Sequence, residues 1–251
     1  MAGAFTGYRR RVRIVPQIGR VDVDMEDDAH CFGVTLTHDG TTILAVETSA
    51  PRYPWTTCPA AGVFLASKMT GVLLADAADV QNQRDHCTHM YDLFVLAARH
   101  APDHAPTVYD IRVSDPVDGG GAAGIRLAEI DLNGETILRW RLGDPTGVDG
   151  IAGGNLRELD AWTRTLTDDL QEAGRMLRRG ALVSGTRFFD FPVGAAAGAM
   201  TQMIGACFTY QPGRADTALR VADTIRDFSN EPEKMLTGES DDRHIEGAAS
   251  P

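Results

Sequence analysis

Ile125-Arg-Leu-Ala-Glu-Ile-Asp-Leu132 is joined by Asn133-Gly134 to Glu135-Thr-Ile-Leu-Arg-Trp-Arg-Leu142. Both runs alternate apolar and polar residues, and Asn-Gly accepts the positive φ angles of a two-residue turn, so the segment predicts an antiparallel hairpin. Val108 to Val113 predicts a third strand beside it. Towards the amino terminus, Val12, Ile14, Val21 and Val23 alternate in the same way, and His38-Asp39-Gly40 separates Val34–Thr37 from Thr42–Val46 as a second hairpin. Tyr8 to Arg13 reads as an edge strand whose arginines deter pairing with another chain. Between the β regions, 59–70 and 88–100 predict helices. Residues 156–179 predict one long helix on the stripe Leu156, Leu159, Trp162, Leu166, Leu170, Ala173 and Leu177, capped by Asn155 with Glu158 and closed by Gly180 at C′. A further buried helix is expected over 193–207, with Gly194, Gly198 and Gly205 on one face suited to a close or subunit contact.

The pattern predicts an α+β fold: antiparallel hairpins forming a β-rich body, interleaved helices, and a helical C-terminal half. At 251 residues the chain admits one large domain or two small ones, and the reading adopted is a single domain over 8–228 with a mobile tail over 229–251, which is polar and poor in apolar anchors. Pro116 to Gly124 predicts a flexible loop, with Gly119 to Gly121 within it able to act as a lid. The net charge of −11 repels a phosphate backbone and argues against nucleic acid as a partner. No apolar run is long enough to cross a membrane, no secretory leader opens the chain, and four cysteines are too few for a disulfide framework. A cytoplasmic protein with a small-molecule substrate, and with homo-oligomerisation open, is expected.

Chemistry concentrates in Asp85-His86-Cys87-Thr88-His89-Met90, which precedes a helix that Thr88 can cap. Cys87 and His89 then sit at the positive end of a helix dipole, where a thiolate is favoured. Cys58, followed by Pro59, occupies a matching helix start. Cys58, Cys87 and His89 with His30 or His86 would supply four donors for zinc or another divalent metal. Such an ion would activate water for hydration, dehydration or hydrolysis of a small organic substrate, aromatic or carboxylic in character, as in a lyase or hydrolase. Two alternatives stand beside this. One is a metal-free enzyme with Cys87 as nucleophile and His86 or His89 as base; the other is a non-catalytic ligand-binding or assembly protein. Cys31 and Cys207 read as packing residues. The acidic run Asp22 to Asp28 lacks the spacing of a calcium loop and reads as solvated. No GxSxG, Walker or HExxH motif is present.

His30, the strands about His38-Asp39-Gly40, Ala50-Pro51-Arg-Tyr-Pro54 with Cys58-Pro59, and Cys87-Thr88-His89-Met90 together resemble the bacterial family catalogued as domain of unknown function 2889, over about 12–100. The resemblance implies His30, Cys58, Cys87, Thr88 and His89 as site positions and no particular reaction. The chain departs from the family pattern at His86, where glycine is usual, and at Cys31, where aspartate is usual.

Overall fold

The computed structural model describes residues 5–116 and 120–237. The fold is α+β, built on an eight-stranded mixed sheet in the order β4-β3-β2-β1-β5-β6-β7-β8. The strands are β1 Gly7–Gln17, β2 Arg20–Asp27, β3 Cys31–His38, β4 Ile43–Arg52, β5 Thr107–Ser114, β6 Arg126–Leu132, β7 Glu135–Leu142 and the short β8 Gly153–Gly154, which runs parallel to β7. Four α-helices accompany them: α1 Cys58–Met69, α2 Thr88–Arg99, α3 Leu156–Thr163 and α4 Asp168–Val183. Both expected hairpins form, β3 with β4 and β6 with β7, and β5 pairs with β6. Asn133 and Gly134 take φ of 50° and 88°, as their turn requires. Among the described residues no helix is long and apolar enough to cross a membrane.

The chain divides into two compact units. One comprises Val12–Thr107 and Phe191–Arg226 with Leu236 and Thr237. In it α2 packs on β2 and β3, and α1 on β4. Val21, Val23 and Met25 of β2, Val34 and Leu36 of β3, and Leu93, Phe94 and Ala97 of α2 are all buried. Their spacing, two on the strands and three or four on the helix, turns each set to one side. The same stretch corrects the reading of Asp22 to Asp28 as a solvated loop: Asp22, Asp24 and Asp27 of β2 are buried, and so is Asp28 just beyond it. Asp22 accepts both arms of the Arg20 guanidinium at 2.8 Å and the Thr35 hydroxyl at 2.6 Å, while Asp24 pairs with Arg13 at 3.6 Å. Burial of carboxylates is tolerable because strand neighbours supply the partners, and those neighbours are invisible in a linear reading of the run.

The second unit comprises the chain up to Arg11, Val108–Asp190 and Asp227–Met235. β1 is not an edge: it lies between β2 and β5. Arg11 reaches the Asp110 carboxylate at 2.8 and 3.1 Å, so the arginines match acids on adjacent strands instead of repelling a neighbour. The expected helix 156–179 is broken into α3 and α4. Asn155 and Glu158 do form the capping box, but Thr163 and Thr165 return their hydroxyls to the carbonyls of Leu159 and Trp162, and Thr167 takes an extended conformation at the start of α4. Side chains that bond their own backbone compete with helix continuation. Gly180 lies inside α4 rather than beyond it; a Cβ there would stand 2.6 Å from Ile111 Cγ2, so its smallness serves packing.

The helix expected over 193–207 is absent. The segment forms two short 3-10 turns, Ala197–Ala199 and Thr201–Met203, and Gly194 and Gly205 take φ of 80° and 79°. Backbone groups of Ala197 and Gly198 instead bond Ala218 and Ala215 at 2.8 and 2.9 Å. Glycines lose most entropy in a helix, and here they serve turns, so the proposed subunit face does not exist as a helical surface. The helical C-terminal half is thus confined to α3 and α4. The tail expected from 229 is held through its first part: the Ser229 hydroxyl donates to Gly7 O at 2.9 Å, the Leu236 amide donates to Glu26 Oε2 at 2.7 Å, and Met235 and Leu236 are buried. The rest of that tail, 238–251, and Gly119 of the expected lid lie outside the described residues.

Candidate functional site

β2 ends at Asp27 and β3 begins at Cys31, and the tight connection between them builds the site. Asp27 Oδ1 accepts from the backbone amides of Ala29 and His30, both at 2.8 Å, and from His30 Nδ1 at 2.9 Å. An ionised carboxylate can only accept, so Nδ1 carries the proton in this arrangement and the imidazole is fixed in orientation. The connection is held from below by Arg52, the last residue of β4. Its guanidinium donates to the carbonyls of Asp27 at 2.5 Å, Asp28 at 3.1 Å, His30 at 3.1 Å and Thr224 at 2.6 Å, and to Glu26 Oε1 at 3.0 Å.

His89, in the first turn of α2, completes the group. Its ring centroid stands 4.2 Å from that of His30, with the Phe32 ring 5.9 Å away. One donor atom each from Asp27, His30 and His89 lie within 4.8 Å of one another. Asp27 and His30 are buried and His89 is half-buried. The donor set of one carboxylate and two imidazoles suits zinc or another first-row divalent ion. The 2.9 Å between Asp27 Oδ1 and His30 Nδ1 is a hydrogen-bond separation, shorter than the roughly 3.3–3.6 Å between neighbouring ligands of a tetrahedral ion with bonds of about 2.0–2.2 Å, so uptake of an ion would part the pair.

Of the expected site residues, His30 and His89 meet, and the cysteines do not join them. Cys58 is the first residue of α1 and Cys87 precedes α2 as its N-cap, a position expected for Thr88, which instead is the first helical residue. Cys58 Sγ faces Thr209 Oγ1 at 3.9 Å. Burial also works against the expected thiolate character. Burial pushes the Cys58 thiol up to about 12, against the smaller effects of a Trp55 backbone hydrogen bond and the Thr209 hydroxyl. Burial pushes Cys87 up as well, with the neighbouring thiols Cys58 and Cys207 adding to it; the backbone of Met90 and His89 at the helix start opposes this and is outweighed. A helix end contributes of the order of 1 kcal/mol at an accessible site, whereas full desolvation shifts a pKa by several units. In the native protein at pH 8, iodoacetamide is therefore expected to label half-buried Cys207 first and to leave Cys58 and Cys87 largely unmodified. Peptide mapping by mass spectrometry checks this, and fast labelling of Cys87 would restore the nucleophile reading.

His86 also stands apart from the group. It lies fully buried just before the α2 N-cap, its ring 5.0 Å from Phe64 and 5.3 Å from Tyr91, and neither ring nitrogen has a hydrogen-bond partner. Tyr91 is four residues beyond the cap, so His86 acts as the apolar half of a staple that sets the entry angle of α2. Burial lowers its pKa from 6.5, opposed by Asp85 and assisted by Lys68. Because the unfolded state takes up the proton more readily, this contribution to stability is complete above about pH 6.5 and is lost as pH falls through the lower folded value. His86→Leu is expected to unfold with less acid dependence below pH 6.5 and no loss of stability at pH 7.5, as read from urea midpoints at both pH values.

Sequence reasoning missed Asp27 and Arg52. The Asp-x-x-His spacing of a side chain capping its own turn was legible at Asp27, but it lay within an acidic run that reads as surface. The chain matches no family model, no curated protein and no solved structure.

Proposed function

We propose that the protein binds one divalent ion of the zinc class through Asp27, His30 and His89, and uses it on a small organic substrate in a hydration, dehydration or hydrolysis. The observation that carries this reading is the convergence of three donors from positions 27, 30 and 89 within 4.8 Å. Three protein ligands leave coordination positions open, and an ion so held lowers the pKa of bound water and polarises a carbonyl. The chain's own contributions are separable. Asp27 would supply one donor oxygen, the backbone amides of Ala29 and His30 hold that carboxylate still, and Arg52 fixes the carbonyls of the same connection. His89 would supply the third donor. A metal ligand must be an unprotonated imidazole nitrogen, so on uptake at His30 Nδ1 the proton of the neutral ring would move to Nε2, with none released. A cytoplasmic setting accords with the four free cysteines.

A second reading is favoured by the same hydrogen bonds: Asp27 and His30 form a turn lock and the protein is a non-catalytic binder. Isothermal titration of chelator-treated protein with zinc separates the two. Saturable binding of one equivalent supports the metal site, and no saturable binding leaves the turn lock.

A further inference from the structure

Arg126 opens β6 in the strand's inward row, followed at two-residue steps by buried Ala128 and Ile130, and only 9% of it is exposed. A cation in a row of core positions requires compensation. Its Nη1 donates to Ser184 Oγ at 2.8 Å, but that hydroxyl already donates to Ala181 O at 2.7 Å and carries no charge. The Phe188 ring centre stands 5.5 Å from the guanidinium carbon. Nε is buried without a hydrogen-bond partner among the described residues. Among the described residues Arg126 makes no ion pair: the acid that acts on it, Asp115, is held at 3.1 and 3.2 Å by the Arg187 fork. Burial accordingly lowers the Arg126 pKa, with Asp115 only partly opposing it.

We propose that Arg126 anchors a binding site for a small monoanionic carboxylate, which meets the guanidinium on its Nε side while Ser184 holds Nη1 and Phe188 flanks the ligand's apolar part. The fork geometry of arginine suits a carboxylate, and one N–H of that fork stands unused in a buried setting. A single cation beside Asp115 balances one negative charge, whereas a phosphate dianion would need a second cation, and Arg187 is committed to Asp115. The site uses none of the residues of the metal reading, so each stands or falls separately.

Thermal shift of the full chain with acetate, benzoate, uncharged benzamide and inorganic phosphate tests this. Benzoate is expected to raise Tm saturably while benzamide does not. Arg126→Met should weaken the benzoate response at least tenfold, the scale of a lost charge-assisted hydrogen bond, while its ligand-free Tm equals or exceeds that of wild type because an uncompensated buried charge is gone. Absence of any carboxylate response in wild type overturns the proposal, as does an equal response in wild type and variant. A response to phosphate stronger than to benzoate overturns the carboxylate assignment. Should Arg126→Met fail to fold, Arg126→Lys keeps the charge without the fork; a tenfold loss there sustains the site, and unchanged affinity contradicts it.

Discussion

Arg52→Met is expected to lower folding stability by roughly 3–5 kcal/mol, the cost of removing one member of a buried polar network. The guanidinium donates to four carbonyls and to the Glu26 carboxylate, and methionine replaces its volume without a single donor. Four carbonyl oxygens and one carboxylate then lose a partner together in a partly buried setting, which is far costlier than losing one exposed bond. Arg139 provides the contrast. It also meets a carboxylate, Glu129 at 2.8 Å, but its side chain is 52% exposed. Arg139→Met is expected to change stability by less than about 1 kcal/mol. Urea unfolding of the two variants checks the difference, and similar midpoints for both would remove Arg52 from its place at the base of the site. Because Asp27 and His30 lie in the connection that Arg52 holds, Arg52→Met should also weaken zinc binding without altering any donor atom.

The second large effect concerns the donors themselves. His30→Ala and His89→Ala are each expected to reduce zinc affinity by at least about 100-fold, beyond the 10–100-fold that loss of an outer-shell partner costs. Asp27→Asn keeps an oxygen for the amides of Ala29 and His30 but removes the charge, and its loss should be of the same order. Cys58→Ala and Cys87→Ala should leave affinity unchanged, although both remove buried sulfur and lower stability by a kcal/mol or two. Competition against a chromophoric chelator measures all five. His89→Ala is the most informative because the side chain is half-buried, so its loss is read on binding with little effect on folding. A cysteine variant that loses zinc while His89→Ala retains it would reinstate the thiolate site.

The fold was largely legible where periodicity and turn chemistry agree, as at Asn133-Gly134 and in the strands on either side of it. Legibility failed where a tertiary partner changes the meaning of a local pattern. The arginines of β1 look like the defence of an exposed edge until Asp110 and Asp24 are placed opposite them. The apolar stripe over 156–179 has a helical period throughout, yet three threonines in its middle interrupt the backbone it would need. Over 193–207 helical spacing of glycines coincided with turn positions, and the turns prevailed.

The site divides in the same way. His30 and His89 were reached from residue chemistry and from the family resemblance, and they stand side by side. Cys58 and Cys87 were also correctly placed at helix starts, but the inference from helix start to thiolate ignored burial, which is the larger effect. Asp27 was present in the sequence as one acid among several. What distinguishes it is that its carboxylate receives three hydrogen bonds, two from the turn it closes and one from a histidine three residues on.

The most direct measurement is the zinc K-edge absorption spectrum of protein loaded with one equivalent of zinc. The expected first shell contains only nitrogen and oxygen at about 2.0–2.2 Å, with imidazole scattering from two histidines. A sulfur shell at about 2.3 Å, or a chain that holds no zinc after removal of excess, would contradict the assignment to Asp27, His30 and His89.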